Sequence, residues 1–273
     1  MACLGLTGLE TTTTIQLLCG LIRPDSGTVT LSGKTDPSQV EVRSSLGVVP
    51  QALAIYEELS ARQNLRFFGK IYGLRGRPLN ERIENCLEIA GLGKRSNDRV
   101  SKYSGGMKRR LNMVCSFMHE PSLLLLDEPT VGVDPQSRNL IFDTIEAMKN
   151  QGRTIIYTTH YMEEAQRLCD RVAILDHGRI LDIDGVDNLI RKHGGPSHIE
   201  AEFEKLSSPD SIKQYIDSEN IQFDETKIRF ETSRPMESLA MLNRSGLHFN
   251  TLKVQTANLE DVFLNLTGRR LRD

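Results

Sequence analysis

Tryptophan is missing altogether, and aromatic residues make up only 5% of the 273-residue chain. No stretch approaches the roughly 18 consecutive apolar residues that would mark a membrane span. The N-terminus, MACLGLTGLETTTT, lacks a charged segment followed by a long apolar run, so it does not have the pattern of a signal peptide. The expected compartment is the cytoplasm, with any work at a membrane depending on recruitment by a partner. The five cysteines (Cys3, Cys19, Cys86, Cys115, Cys169) are dispersed, odd in number and without metal-ligand spacing, which fits a reducing compartment better than a disulfide framework. A net charge of −2 and the lack of a Lys/Arg tract give no electrostatic reason to expect a nucleic-acid partner.

What is present is an alternation of strands and helices. Ala2 to Leu6 form a short apolar strand that runs into a Gly-containing turn. Thr12 to Leu21 have helical spacing and stop at the turn cluster Arg23-Pro24-Asp25-Ser26-Gly27. Thr28–Leu31 and Leu46–Val49 suit strands. From about Ala52 to Glu120 the pattern is mainly helical (Ala61–Tyr72, Leu79–Ala90, Gly106–His119). Then come strand Leu123–Leu126, helix Ser137–Lys149, strand Thr154–Thr158, helix Glu163–Cys169 and strand Val172–Leu175. This order predicts an α/β fold: a parallel sheet with helices on both faces and a helical subdomain over about 52–120. The polar, turn-rich stretch Arg191–Ser197 divides a domain over 1–190 from a small α+β domain over 197–273.

The most specific chemical signal is Leu123-Leu124-Leu125-Leu126-Asp127-Glu128-Pro129-Thr130. Four apolar residues bury a strand, and the acidic pair emerges at its carboxyl end, where open α/β sheets bind ligands. A bare acidic pair after a strand ordinarily caps the next helix. After four leucines and before Pro-Thr, Asp127 suits a Mg²⁺ ion and Glu128 an attacking water. Upstream, Ser104-Gly105-Gly106-Met107 opens a helix whose N-terminal amides suit phosphate, although such a run also serves as a simple cap. His160, after another apolar strand, can hydrogen-bond a γ-phosphate, and Gln51 can contact Mg²⁺ or water.

Taken singly these are weak, but the order Gln51, Ser104-Gly105-Gly106, Asp127-Glu128, Val133-Asp134, His160 resembles the ABC-type ATPase family across residues 2–190, a P-loop NTPase-like fold. The resemblance assigns a Q-loop, signature motif, Walker B segment, D-loop (Asp134) and switch histidine. It implies MgATP as cofactor, with Thr12, Gln51 and Asp127 on the Mg²⁺ side, Glu128 as general base and His160 as γ-phosphate sensor. It also implies head-to-tail pairing with a second ATP-binding subunit, the same or different, each ATP lying between one P-loop and the other signature motif. Transmembrane permease subunits would hold the pair at the inner face of the cell membrane, with Leu53, Ile55 and Tyr56 partly exposed for docking. The tail Leu259–Gly268 resembles that of bacterial drug- and polysaccharide-export ATPases. ABC-type ATPases of translation or DNA repair fit less well, for the chain has no second cassette, coiled-coil insertion or basic surface.

The chain departs from the family at its P-loop. The pattern G-x-x-x-x-G-K-[ST] falls on Gly5-Leu6-Thr7-Gly8-Leu9-Glu10-Thr11-Thr12, followed by Thr13. Glu10 stands in the slot of the second glycine and Thr11 in that of the lysine. The family also carries strands and an adenine-stacking aromatic ahead of this loop, so the chain is expected to lack that platform. Weak or absent hydrolysis is expected. The alternative functions are a non-hydrolysing regulatory partner of an intact ATPase and a truncated, inactive copy.

Overall fold

The computed structural model describes residues 2–5, 8–31, 33, 36–203, 216, 220–224, 226–244 and 248–268, with side chains from residue 11 onward. Two compact units divide the chain, Met1–Asp184 and Gly185–Asp273.

The first unit is built on six strands: β1 (Ala2–Gly5), β2 (Leu46–Val49), β3 (Leu123–Asp127), β4 (Thr154–Thr159), β5 (Arg171–Asp176) and β6 (Arg179–Gly185), in the spatial order β2-β3-β4-β1-β5-β6. The pairs β2–β3, β3–β4, β4–β1 and β1–β5 are parallel. β5 and β6 are joined by His177 (φ 47°) and Gly178 (φ 71°), whose two positive φ values match a tight two-residue hairpin turn.

The leucine run shows why helices cover both faces. Leu124 and Leu126 point into the main core with Leu65, Ile83, Leu111 and Phe117, whereas Leu125 packs on the opposite face against Ile15 and Cys19. Ile15 belongs to α1 (Gly8–Leu18). The main core also takes in the helices α3 (Ala61–Ile71), α4 (Gly76–Ile89), α5 (Gly105–Ser116) and α6 (Pro135–Asn150), so the helical region shares one core with the sheet.

Three sequence expectations shift. Thr28–Leu31 forms no described strand; Leu31 is instead buried with Val42 and Leu46, beside a short helix, α2 (Val40–Arg43), that its sequence did not announce. A β-branched run becomes a strand only where a neighbour offers a ladder. β6 was likewise not anticipated. The division falls at 184/185 rather than within 191–197. The helix α8 (Val186–His193), which follows α7 (Met162–Leu168), packs against α10 (Leu259–Thr267), and the His193 carbonyl accepts from Asn265 Nδ2 at 2.7 Å.

The second unit is an antiparallel sheet of β7 (Ser197–Phe203), β8 (Ile221–Asp224), β9 (Lys227–Thr232) and β10 (Phe249–Gln255), ordered β10-β7-β9-β8. Alternate residues Ile199, Ala201, Phe203, Ile228 and Phe230 form its core with Leu242 of α9 (Pro235–Arg244).

Candidate functional site

The sheet order brings the predicted chemistry together. β2, β3, β4 and β1 lie side by side and run the same way, so the loops leaving their carboxyl ends adjoin. Those loops carry Gln51, Asp127-Glu128, His160 and the loop after Gly5.

Asp127 ends β3 opposite Thr158 of β4 and is buried. Its carboxylate accepts from Thr158 Oγ1 at 2.7 Å and from Thr12 Oγ1 at 3.3 Å. A carboxylate and a hydroxyl so placed are hard oxygen donors of the kind Mg²⁺ takes. The next residue, Glu128, is also buried and has φ 45°, the left-handed region that a side chain occupies only where its surroundings enforce it. Enforcement comes from its amide, which donates to Thr158 O and Thr158 Oγ1, and from its carbonyl, which is gripped by Arg109. The turn aims its carboxylate at Gln51 Nε2 (2.9 Å) and His160 Nδ1 (3.1 Å). Four of the residues singled out from sequence therefore converge with Thr12 at one place.

Two residues not singled out hold this arrangement. Arg109, on α5, is 4% exposed, and burial pulls its guanidinium below its usual range. It donates to the carbonyls of Pro129 (2.7 Å), Pro50 (3.3 Å), Gln51, Glu128 and Asp127 (3.5 Å), binding the Gln51 loop to the acidic loop. Glu164, on α7, is 3% exposed and accepts from Thr130, Tyr157 and Thr159 hydroxyls at 2.7–2.9 Å. Thr130 follows the acidic pair and Thr159 precedes His160, so one carboxylate ties both loops. Beside that carboxylate, burial pushes the Tyr157 phenol far above its usual range.

The signature residues occupy a separate place. Ser104 caps α5, its hydroxyl accepting from Met107 N at 3.3 Å. Asp134 caps α6 in the same way, accepting from Ser137 N at 2.9 Å, and that backbone bond holds its carboxyl below the usual range. A Cβ on Gly106 would stand 2.2 Å from Ser137 Oγ and 2.6 Å from Asp134 Oδ2, whereas Gly105 faces open space. Only glycine at 106 lets the two caps meet.

The phosphate-loop positions are less complete. Gly5 ends β1, Leu6 and Thr7 lie outside the described residues, and Gly8, Leu9 and Glu10 form the first turn of α1, their side chains outside the description. Thr11, in the lysine slot, is buried, Thr12 half-buried and Thr13 exposed.

Leu53 and Tyr56 are exposed (42% and 49%) and Ile55 is half-buried, the partial exposure expected of these residues from the sequence. The backbone beneath them is fixed: Ala54 N donates to Asn112 Oδ1 at 2.9 Å, and buried Asn64 accepts from Tyr56 N at 2.8 Å. The Tyr56 ring meets exposed Phe67 edge-on, centroids 4.9 Å apart.

The ABC transporter family model matches residues 1–131. A linearmycin resistance ATP-binding protein of Bacillus subtilis is 38% identical over 99% of this chain and 90% of its own length. The chain belongs to the ATP-binding subunits of ABC transporters. Within that family, the Nod factor export ATP-binding protein I of Sinorhizobium fredii is also 38% identical, over 99% of this chain and 78% of its own length. A solved ATP-binding subunit of an ABC transporter superposes with TM-score 0.64 at 31% identity, covering 71% of this chain and 82% of that one. A dimeric ATP-binding cassette in a post-hydrolysis state with ADP and phosphate shares the fold at TM-score 0.61 and 20% identity, covering 67% and 84%. The family's members are ATPases, and no described helix of this chain is long and apolar enough to cross a membrane.

Proposed function

We propose that this chain couples ATP to export through a membrane permease, and that its own phosphate loop grips ATP poorly. The convergence of Thr12 with Asp127, and of Gln51 and His160 with Glu128, carries the first part. Bound MgATP would supply the phosphoryl group, with the metal neutralising charge on it. Thr12 and Asp127 offer hydroxyl and carboxylate oxygens to that metal. Glu128 is oriented to take a proton from water, and His160 and Gln51 fix which way its carboxylate points.

The second part rests on the lysine slot. A cation at about 4 Å from a phosphate oxygen contributes on the order of 4 kcal/mol at an effective dielectric of about 20. Thr11 is buried and uncharged, and Glu10 adds a carboxylate to the first turn of α1, where a phosphate would otherwise take the helix N-terminus. The loss corresponds to roughly a thousandfold in rate, at about 1.4 kcal/mol per tenfold. Phosphate release by the purified chain tests this. Slow release that rises about a thousandfold in Glu10→Gly/Thr11→Lys and vanishes again with Glu128→Gln supports the reading. A fast unmodified rate that depends on Glu128 contradicts it.

Export coupling rests on Leu53, Tyr56 and Phe67, an exposed apolar patch on a rigid backbone one loop away from Glu128.

A further inference from the structure

Among the described residues, the sheet of the second unit has two open edges, and they differ. β8 is four residues long and ends in Asp224, a short, charged edge of the kind that resists further pairing. β10 is seven residues long, contains no proline, and pairs among the described residues only with β7. Its bulge, between Phe249 and Thr251, lies at one end. Its only charge, Lys253, leans back over its own sheet toward Glu200, with Nζ 3.9 Å from Oε1. Leu252 and Val254 stand opposite the buried residues Ala201 and Ile199, on the apolar face of the sheet, yet remain 42% and 39% exposed. Over Thr251–Gln255 the edge thus has no proline and no internal bulge, and its one lysine is engaged by its own sheet.

We propose that β10 is a docking edge for a second copy of this chain, pairing antiparallel with its own counterpart about Leu252. Side chains alternate between faces, so a two-fold pairing keeps apolar residues together only in registers that match like faces. With Leu252 opposite Leu252 of the copy, Lys253 stands opposite Thr251, and the lysines avoid one another. Centring one residue later would set Lys253 against Lys253, a like-charge pair. The chosen register also extends the charge order of the polar face. Within the sheet, Arg229, Glu200 and Lys253 already alternate in one rung, with Arg229 Nε 2.8 Å from Glu200. In the next rung Thr251 stands beside Glu202, which is 3.5 Å from Lys227 Nζ. Across the two-fold the sequence becomes Arg229, Glu200, Lys253, then the copy's Thr251, Glu202 and Lys227, a run with no like charges adjacent. On the other face Leu252 covers Leu252, and the regular ladder ends where Val254 meets the bulge at Asn250. The contact is isologous and closes at two copies. The contact goes beyond the reading above, since it lies wholly in the second unit and is independent of the ATP site.

Two measurements on the full chain test it. Sedimentation velocity should show a dimer that Leu252→Lys converts to monomer without loss of circular dichroism. Oxidation of Leu252→Cys should give a reductant-sensitive dimer, since directly opposed Cβ atoms lie about 5 Å apart. Gln255→Cys should give none, because its two copies would stand six residues, roughly 20 Å, out of register. Burial pushes Cys19 and Cys86 up to about 11 and raises Cys115 as well, and the unmodified chain is the control for the half-buried Cys169 and for Cys3. A monomeric unmodified chain overturns the proposal. So does a dimer that survives Leu252→Lys and yields no Leu252→Cys link. Phosphate release by Leu252→Lys is read separately, so failure of this edge and failure of the ATPase reading remain distinguishable.

Discussion

The two sides of the nucleotide site are built to different standards. On the acidic side, Asp127, Glu128, Gln51 and His160 are locked by hydrogen bonds of 2.7–3.1 Å, and a buried arginine grips the carbonyls of both loops. On the phosphate side, β1 and α1 are in place and Thr12 reaches Asp127, but the slots for glycine and lysine hold Glu10 and Thr11. Scaffold and chemistry therefore separate. The acidic side is fixed by contacts with the core, which persist whether or not phosphate binds. On the reading proposed above, the phosphate side depends on a charge that Thr11 does not supply, while β1 and α1 remain in place.

The largest expected effect comes from breaking the well-built side. Arg109→Ala removes the side-chain donor from the carbonyls of Pro50, Gln51, Glu128 and Pro129. It should destabilise the chain by about 3 kcal/mol or more, read from the urea midpoint at constant slope. An effect below about 1 kcal/mol would mean that these loops hold their shape without it.

Gly106→Ala is next. The added methyl meets Ser137 Oγ at 2.2 Å, so α5 and the start of α6 must separate, at a cost of about 1–3 kcal/mol in thermal or urea unfolding. Gly105→Ala, with open space around it, is the control and should cost little beyond helix propensity.

Tyr56→Asp should have the smallest effect on stability, within about 0.5 kcal/mol, because the side chain is half exposed and its backbone is held by Asn64. It should nonetheless abolish co-purification with the permease. Unchanged co-purification would remove the docking role from this patch.

Strands and their emerging acids were legible because Leu123–Leu126 and Thr154–Thr158 are long enough to declare themselves. Their adjacency was not legible, since the β3-β4-β1 order depends on crossovers that no local pattern encodes. Arg109 was missed for a related reason. In Lys108-Arg109-Arg110 three cations stand in a row, and only the packing of α5 decides which one turns inward. Glu164 was hidden similarly beside Glu163; its signal, hydroxyls on Thr130 and on Tyr157 and Thr159 of β4, is spread over two segments distant in sequence. Glu10 and Thr11 were visible at once, because a motif with fixed spacing exposes its own substitutions.

Calorimetric titration of MgATP into the unmodified chain and into Glu10→Gly/Thr11→Lys tests the difference between the two sides most directly. The account predicts weak binding by the unmodified chain and at least tenfold tighter binding by the variant, with both chains unfolding at nearly the same urea concentration. Equally tight binding by the two would contradict it, for the phosphate side would then need neither the glycine nor the lysine.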